Sequence, residues 1–200
     1  MKLRGLYAIT PELADRAEML RRVEQVLEGG IAALQYRRKA GRDLDEARAL
    51  ADLCRRKGVP LIVNDDLELA LASGADGVHL GRDDGALAQA RRRLGGKLLG
   101  ASCYASLGAA RGVVAAGADY VAFGSVFLSS TKPAAVRAPH SLFVEARSLG
   151  VPLVAIGGIT LDNAPQLLAA GADALAVISD LFDASDVTAR ARAYGKLFQS

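Results

Sequence analysis

The sequence predicts an α/β fold, one (β/α)₈ barrel spanning residues 1–200. Apolar runs of strand length alternate with helical patterns eight times along the chain. The strands are apolar throughout rather than at every second residue, the pattern of parallel strands covered on both faces. Gly-Ala-Asp recurs at Gly74, Gly117 and Gly171, each time after a helical pattern and before a strand, with Gly29-Gly30-Ile31 as a looser copy. Glycine there suits a left-handed helix C-cap. An open doubly wound sheet is the alternative, but no glycine-rich dinucleotide fingerprint follows the first strand.

In chain order, Leu6 to Thr10 is the first strand, and Thr10-Pro11 offers an N-cap with proline at the first helical position. Leu20, Val23 and Leu27 supply that helix's apolar stripe. Strands follow at Ala32 to Arg37, Leu61 to Asn64, Val78 to Leu80, Leu98 to Ser102, Tyr120 to Gly124, Leu153 to Ile156 and Ala174 to Ile178. Helices are expected over Leu44 to Lys57, over a short stretch from Leu67, and over Leu87 to Leu94. Leu107, Ala110 and Val114 mark the next, and Leu142 to Leu149, Asn163 to Ala170 and Val187 to Phe198 complete the series.

Composition narrows the function classes. No apolar run approaches the ~20 residues of a membrane span, and the N-terminal apolar region is too short for a signal peptide. Cys54 and Cys103 lie far apart without C-x-x-C spacing, against a disulfide framework or a zinc site. A cytoplasmic protein is expected. A net charge of +3 raises the question of nucleic acid, but Arg91 to Arg93 lacks interleaved aromatics and sits late in a helix, where cations suit the dipole. An anionic small substrate accounts for the charge instead.

In such a barrel the working groups follow the strands. After strand two, alternation sends Gln35, Arg37 and Lys39 to one face, an amide and two cations suited to a heterocycle edge and a polyphosphate. After strands three and four come Asn64-Asp65-Asp66 and Asp83-Asp84. Carboxylates on adjacent strand ends, completed by phosphate oxygens, suit Mg²⁺; the same aspartates also suit helix caps. His79, inside strand four, reads as a hydrogen-bonded barrel histidine, and Cys103 as packing. Ser102 is a candidate phosphate contact. The connection from Ser125 to Pro139, longer than about 12 residues, carries Ser129-Ser130-Thr131-Lys132, three hydroxyls and an amine for an anion. Gly157-Gly158 is placed at the opening of helix seven, and Ser179 follows strand eight; together they suggest a phosphate grip.

LYAIT, QYRRK, LIVNDD, ADGVHLGRDD, GASCY, FGSVF with STKP, VAIGGIT and GADALAVIS, in that order along almost the whole chain, resemble thiamine phosphate synthase. The resemblance implies a Mg²⁺-dependent transferase. It would join hydroxymethylpyrimidine diphosphate to hydroxyethylthiazole phosphate by dissociative substitution, releasing pyrophosphate. It implies that Gln35, Arg37 and Lys39, helped by Asn64, Ser102 and Lys132, hold the pyrimidine diphosphate, with Arg37, Lys39, Ser102 and Lys132 assisting the chemistry. Asp65 and Asp84 match the Mg²⁺ ligands, leaving Asp66 and Asp83 as caps. Ser129, Ser130, Thr131, Gly158, Ile178 and Ser179 match the thiazole-phosphate site. The chain departs from the pattern at Asp66, at Cys103-Tyr104, and at Leu128-Ser129. Competing readings are a thiazole tautomerase, a sugar-phosphate isomerase, and a non-catalytic binder of thiamine precursors. The tautomerase would need a histidine where Ser125 stands.

Overall fold

In the computed structural model, which describes residues 3–39, 41–81, 87–128 and 137–199, all eight predicted strands pair in parallel, each with its sequence neighbours. They are β1 (Gly5–Ile9), β2 (Ala33–Tyr36), β3 (Leu61–Asn64), β4 (Gly77–Leu80), β5 (Leu98–Tyr104), β6 (Tyr120–Gly124), β7 (Leu153–Ile156) and β8 (Ala174–Val177). β8 returns to β1, closing the barrel.

Helices separate the strands: α1 (Arg16–Gly29), α2 (Leu44–Lys57), α3 (Leu67–Ser73), α4 (Leu87–Leu94), α5 (Leu107–Ala115), α6 (Ser141–Ala146) and α7 (Ala164–Ala170). A short helix α8 (Ser179–Phe182) then precedes α9 (Val187–Lys196). The expected span of helix six is divided, because α6 tightens into a 3₁₀ turn over Arg147–Leu149. α8 has no counterpart among the expected elements.

Strand alternation divides the apolar residues into two cores. Leu6, Ala8, Leu34, Val63, Val121, Phe123 and Leu175 face the helices and meet Val23, Leu50, Phe143 and Tyr194. Tyr7, Ile9, Ala33, Ile62, Tyr120, Ala122, Val154 and Ala176 fill the barrel interior. Each buried aliphatic or aromatic side chain contributes roughly 1.5–3 kcal/mol of transfer free energy.

The first connection differs from expectation. Asp15, not Thr10, caps α1, its carboxylate accepting from the amides of Ala17 and Glu18. Thr10 is engaged elsewhere: its hydroxyl accepts from the Arg37 amide at 2.9 Å and donates to the Arg37 carbonyl at 3.3 Å. A local cap thus loses to a cross-strand pair that satisfies both backbone groups at the end of β2.

The Gly-Ala-Asp repeat has a second role. Gly74 and Gly171 close α3 and α7 in the left-handed conformation, as expected. The aspartates clamp the preceding strands. Asp76 accepts from the Leu61 amide at 2.9 Å, Asp119 from Leu99 at 2.7 Å and Asp173 from Leu153 at 2.9 Å. Their backbone amides donate back to the carbonyls of the same three residues. Arg91, from the basic run at the end of α4, donates to Asp119 at 2.9 Å, so its charge serves the fold.

Candidate functional site

At the opposite end of the barrel the strands deliver their polar ends into a cavity of about 470 Å³. Gln35, Arg37, Asn64, Asp65, Ser102, Gly158, Ile178 and Ser179 all line it, as do His79 and Tyr104. Lys39 does not line this cavity; its side chain is exposed, while its amide donates to Glu12 at 2.8 Å. Asp84, Ser129, Ser130, Thr131 and Lys132 lie outside the described residues, as does Asp83.

The β2 end divides its charges by alternation. Gln35 and Arg37 face the cavity. Tyr36 and Arg38 face α2, where both donate to the fully buried Glu46 carboxylate at 2.6 and 2.8 Å. Glu12 lies 3.9 Å from the Arg37 guanidinium and also accepts from the Lys39 amide, bracing this segment from the first loop. Nothing in the local sequence pattern marks Glu12, because its partners are 25 or more positions away.

At the β3 end the two aspartates separate. Asp66 caps α3, accepting from the Leu69 amide at 2.9 Å. Asp65 adopts φ +58°, a left-handed conformation that disfavours a non-glycine residue but is tolerated by Asp. Its amide is held by the His79 carbonyl at 2.8 Å. Its carboxylate accepts from the Asn64 side chain at 2.6 Å and from the Gly81 amide at 3.2 Å. These hydrogen bonds fix Asp65 at the mouth, where it lines the cavity.

β5 carries an irregularity in its register with β6 between Ser102 and Tyr104. Cys103 is buried, and burial pushes its thiol up to about 12, so it packs as an inert group. Tyr104, at φ +53°, lines the cavity and remains partly exposed. At the end of β6, Ser125 donates to the Phe127 carbonyl at 2.6 Å, so its hydroxyl holds its own loop.

The glycine pair differs from expectation. Gly157 and Gly158 do not open α7, which starts at Ala164 with Asn163 at its N-cap. They line the cavity at φ +105° and +64°. A Cβ on Gly157 would lie 2.2 Å from Ser125 Oγ, and one on Gly158 2.2 Å from the Leu128 carbonyl oxygen, so glycine is needed for the β6 and β7 loops to meet. The helix start at this side of the mouth is that of α8, with Ser179 in its first position. Asp180 is turned into a clasp, accepting from Arg190 at 2.9 Å and from the Tyr194 hydroxyl at 2.7 Å.

His79 is a hydrogen-bonded barrel histidine, as expected: Nδ1 is 3.1 Å from the Tyr120 hydroxyl and Nε2 is 2.9 Å from Ser102 Oγ. Tyr120 continues to Tyr7 at 2.7 Å, and Gln35 donates to the Tyr7 hydroxyl at 3.0 Å. The tyrosines are absent from the sequence-based site. A signal existed in the alternation of β1, which sends Tyr7 inward, where a buried phenol needs a partner. Among the described residues, no three His, Cys, Asp or Glu side chains gather to hold a metal ion. An oxygen site completed by substrate phosphates does not need three, and the braced Asp65 carboxylate fits such a site.

Comparison with known proteins agrees along the whole chain. A family model described as thiamine monophosphate synthase matches residues 6–181. The thiamine-phosphate synthase of Aromatoleum aromaticum is 60% identical over 204 residues, covering 100% of this chain and 98% of the relative. That of an Azoarcus species is 59% identical, covering 98% of each chain. Among solved structures, the thiamine phosphate pyrophosphorylase of Pyrococcus furiosus superposes with a TM-score of 0.85 at 33% identity, covering 99% of this chain and 96% of that one.

Proposed function

The chain belongs to the thiamine monophosphate synthase family, and from that premise we propose that it is a transferase that makes thiamine phosphate. Its substrates are hydroxymethylpyrimidine diphosphate and hydroxyethylthiazole phosphate, and pyrophosphate is the second product. The observation that carries the reading is the match over residues 6–181 to a barrel whose mouth gathers Gln35, Arg37, Asn64, Asp65, Ser102, Gly158 and Ser179 around one cavity. The active unit is proposed as one domain over residues 1–200. The buried, unpaired Cys54 and Cys103 agree with a cytoplasmic setting.

In this reading Gln35 contacts the pyrimidine edge, while Arg37, Asn64 and Ser102 receive the diphosphate, joined by Lys132; Lys39, exposed and outside the cavity lining, would join them only by turning its side chain inward. Asp65 and Asp84 would hold Mg²⁺, which supplies positive charge against the pyrophosphate group. Ser129, Ser130, Thr131, Gly158, Ile178 and Ser179 hold the thiazole phosphate. Carbon–oxygen cleavage leaves a cation stabilised by the amino-substituted ring. The residues' task is to neutralise the departing diphosphate and to keep the thiazole nitrogen close. Ser125, spent on its own loop, offers no base for the tautomerase alternative.

Purified protein mixed with both precursors and Mg²⁺ is expected to release thiamine phosphate and pyrophosphate in equal amounts. Absence of product, with only one precursor bound, would overturn the reading.

A further inference from the structure

A chain of hydrogen bonds crosses the barrel interior from Gln35 on β2 to Ser102 on β5, through Tyr7, Tyr120 and His79. Both phenols are only 1% exposed, so each hydroxyl proton must find an acceptor inside the barrel. Burial also holds both phenols well above the ordinary tyrosine range, and they stay protonated.

The proton directions then follow from one end. The Gln35 amide nitrogen donates to the Tyr7 oxygen, so the Tyr7 proton is directed to the Tyr120 oxygen. The Tyr120 proton is left for His79 Nδ1. With Nδ1 accepting, the ring proton is on Nε2, which donates to Ser102 Oγ. Ser102 Oγ is thereby an acceptor toward the histidine, and its own proton is left to donate into the cavity that it lines. At the other end Gln35 keeps its carbonyl oxygen for the ligand.

A second observation shows that the interior is shaped for this contact. Gly100 on β5 lies in register with both His79 and Tyr120. A Cβ there would lie 2.1 Å from Tyr120 Cζ and 2.6 Å from His79 Nδ1. Glycine at this position leaves the volume in which the phenol reaches the imidazole.

We propose that Tyr7 and Tyr120 are positioning residues: they set the His79 tautomer, and through it they present an acceptor at Gln35 and a donor at Ser102. The polarity matches the site read above, on which this inference rests. An acceptor at Gln35 suits an amino-substituted heterocycle, and a donor at Ser102 suits a diphosphate oxygen. Reversing the Gln35 amide would reverse every bond in the chain and turn Ser102 into an acceptor facing an anion. The relay therefore couples recognition of the ring to binding of the leaving group on the far side of the barrel.

The test begins without substrate. The chain has two histidines, His79 and His140, so ¹⁵N imidazole spectra of the wild type and of His140→Gln assign His79 directly. The Nε2–H tautomer is expected in the wild type, and Tyr120→Phe is expected to lose that preference. In turnover, Tyr120→Phe should lower kcat about tenfold, the order of one lost hydrogen bond, with KM for the thiazole phosphate little changed. A purely packing role would move the melting temperature and leave the tautomer alone. An Nδ1–H tautomer in the wild type overturns the proposal, as does a folded Tyr120→Phe with unchanged tautomer and kcat. If Tyr120→Phe does not fold, Tyr7→Phe replaces it, with a raised KM for the pyrimidine diphosphate expected and an unchanged KM overturning the proposal. Were the protein to make no thiamine phosphate at all, the functional reading would fall while the spectra still decided the relay.

Discussion

The two ends of this barrel are built by opposite rules. At the N-terminal end of the strands one device recurs: a glycine lies at or just past the end of a helix, and an aspartate two residues later clamps a backbone amide of the preceding strand. This is seen at Asp76, Asp119 and Asp173. At the C-terminal mouth no two strands end alike among the described residues. Asp65 and Tyr104 hold positive φ angles, β5 is irregular beside β6, and the β6 and β7 loops meet through Gly157 and Gly158. Repetition serves closure, because each strand needs the same backbone groups satisfied at its start. Departure from repetition serves chemistry, because a ligand needs different groups at different strand ends. Stability and activity are consequently carried by different residues, and substitutions at the two ends should separate them.

The largest effect is expected at the mouth. Asp65→Ala should lower kcat/KM by about 10²-fold or more, the scale of losing one preorganised charged group at a developing charge. Its melting temperature should stay within a few degrees, since the side chain lies at the barrel mouth beside Asn64 and Gly81 and belongs to neither apolar core. Parallel thermal melts and product assays check this, and full activity at limiting Mg²⁺ would remove Asp65 from the metal site.

At the other end, Asp173→Ala strands the Leu153 amide at the start of β7. The expected cost is about 1–3 kcal/mol of unfolding free energy, the penalty of an unsatisfied buried donor, with kcat retained. Chemical denaturation with a matched assay would expose any failure of the separation. A large drop in kcat would mean that the clamp reaches the mouth.

The smallest effect sharpens the contrast from the mouth side. Tyr104 is an exposed aromatic residue in a left-handed conformation, so Tyr104→Gly is expected to raise stability by about 0.5–1 kcal/mol through relief of backbone strain. Because Tyr104 also lines the cavity, the same change should raise KM for at least one substrate. Denaturation midpoints and substrate titrations report the two effects separately.

The cyclic order of the strands was legible because periodicity is a local property. α2, β3, α4, β6 and β7 fall on the expected residues. So was much of the polar inventory of the mouth: Gln35, Arg37, Asn64, Asp65, Ser102, Gly158, Ile178 and Ser179 line one cavity. The expectations that failed were local rules overridden by distant partners. Thr10 looked like a helix cap until the Arg37 backbone claimed its hydroxyl, and the glycine pair looked like a helix start until the β6 loop required its missing Cβ atoms.

By itself, then, the sequence determined the alternation of strands and helices, the glycine-aspartate punctuation between them and the chemical types delivered to the strand ends. Each of these is written within a few consecutive residues. Only the tertiary structure decided how two adjacent aspartates divide, with Asp66 capping α3 and Asp65 turned to the ligand side. It alone revealed the aspartate clamps, and it alone brought Tyr7 within 2.7 Å of Tyr120, a partner 113 residues away. The physical reason is closure: hydrogen bonds across the barrel exist only once all eight strands have met, and no short window of sequence contains both of their ends.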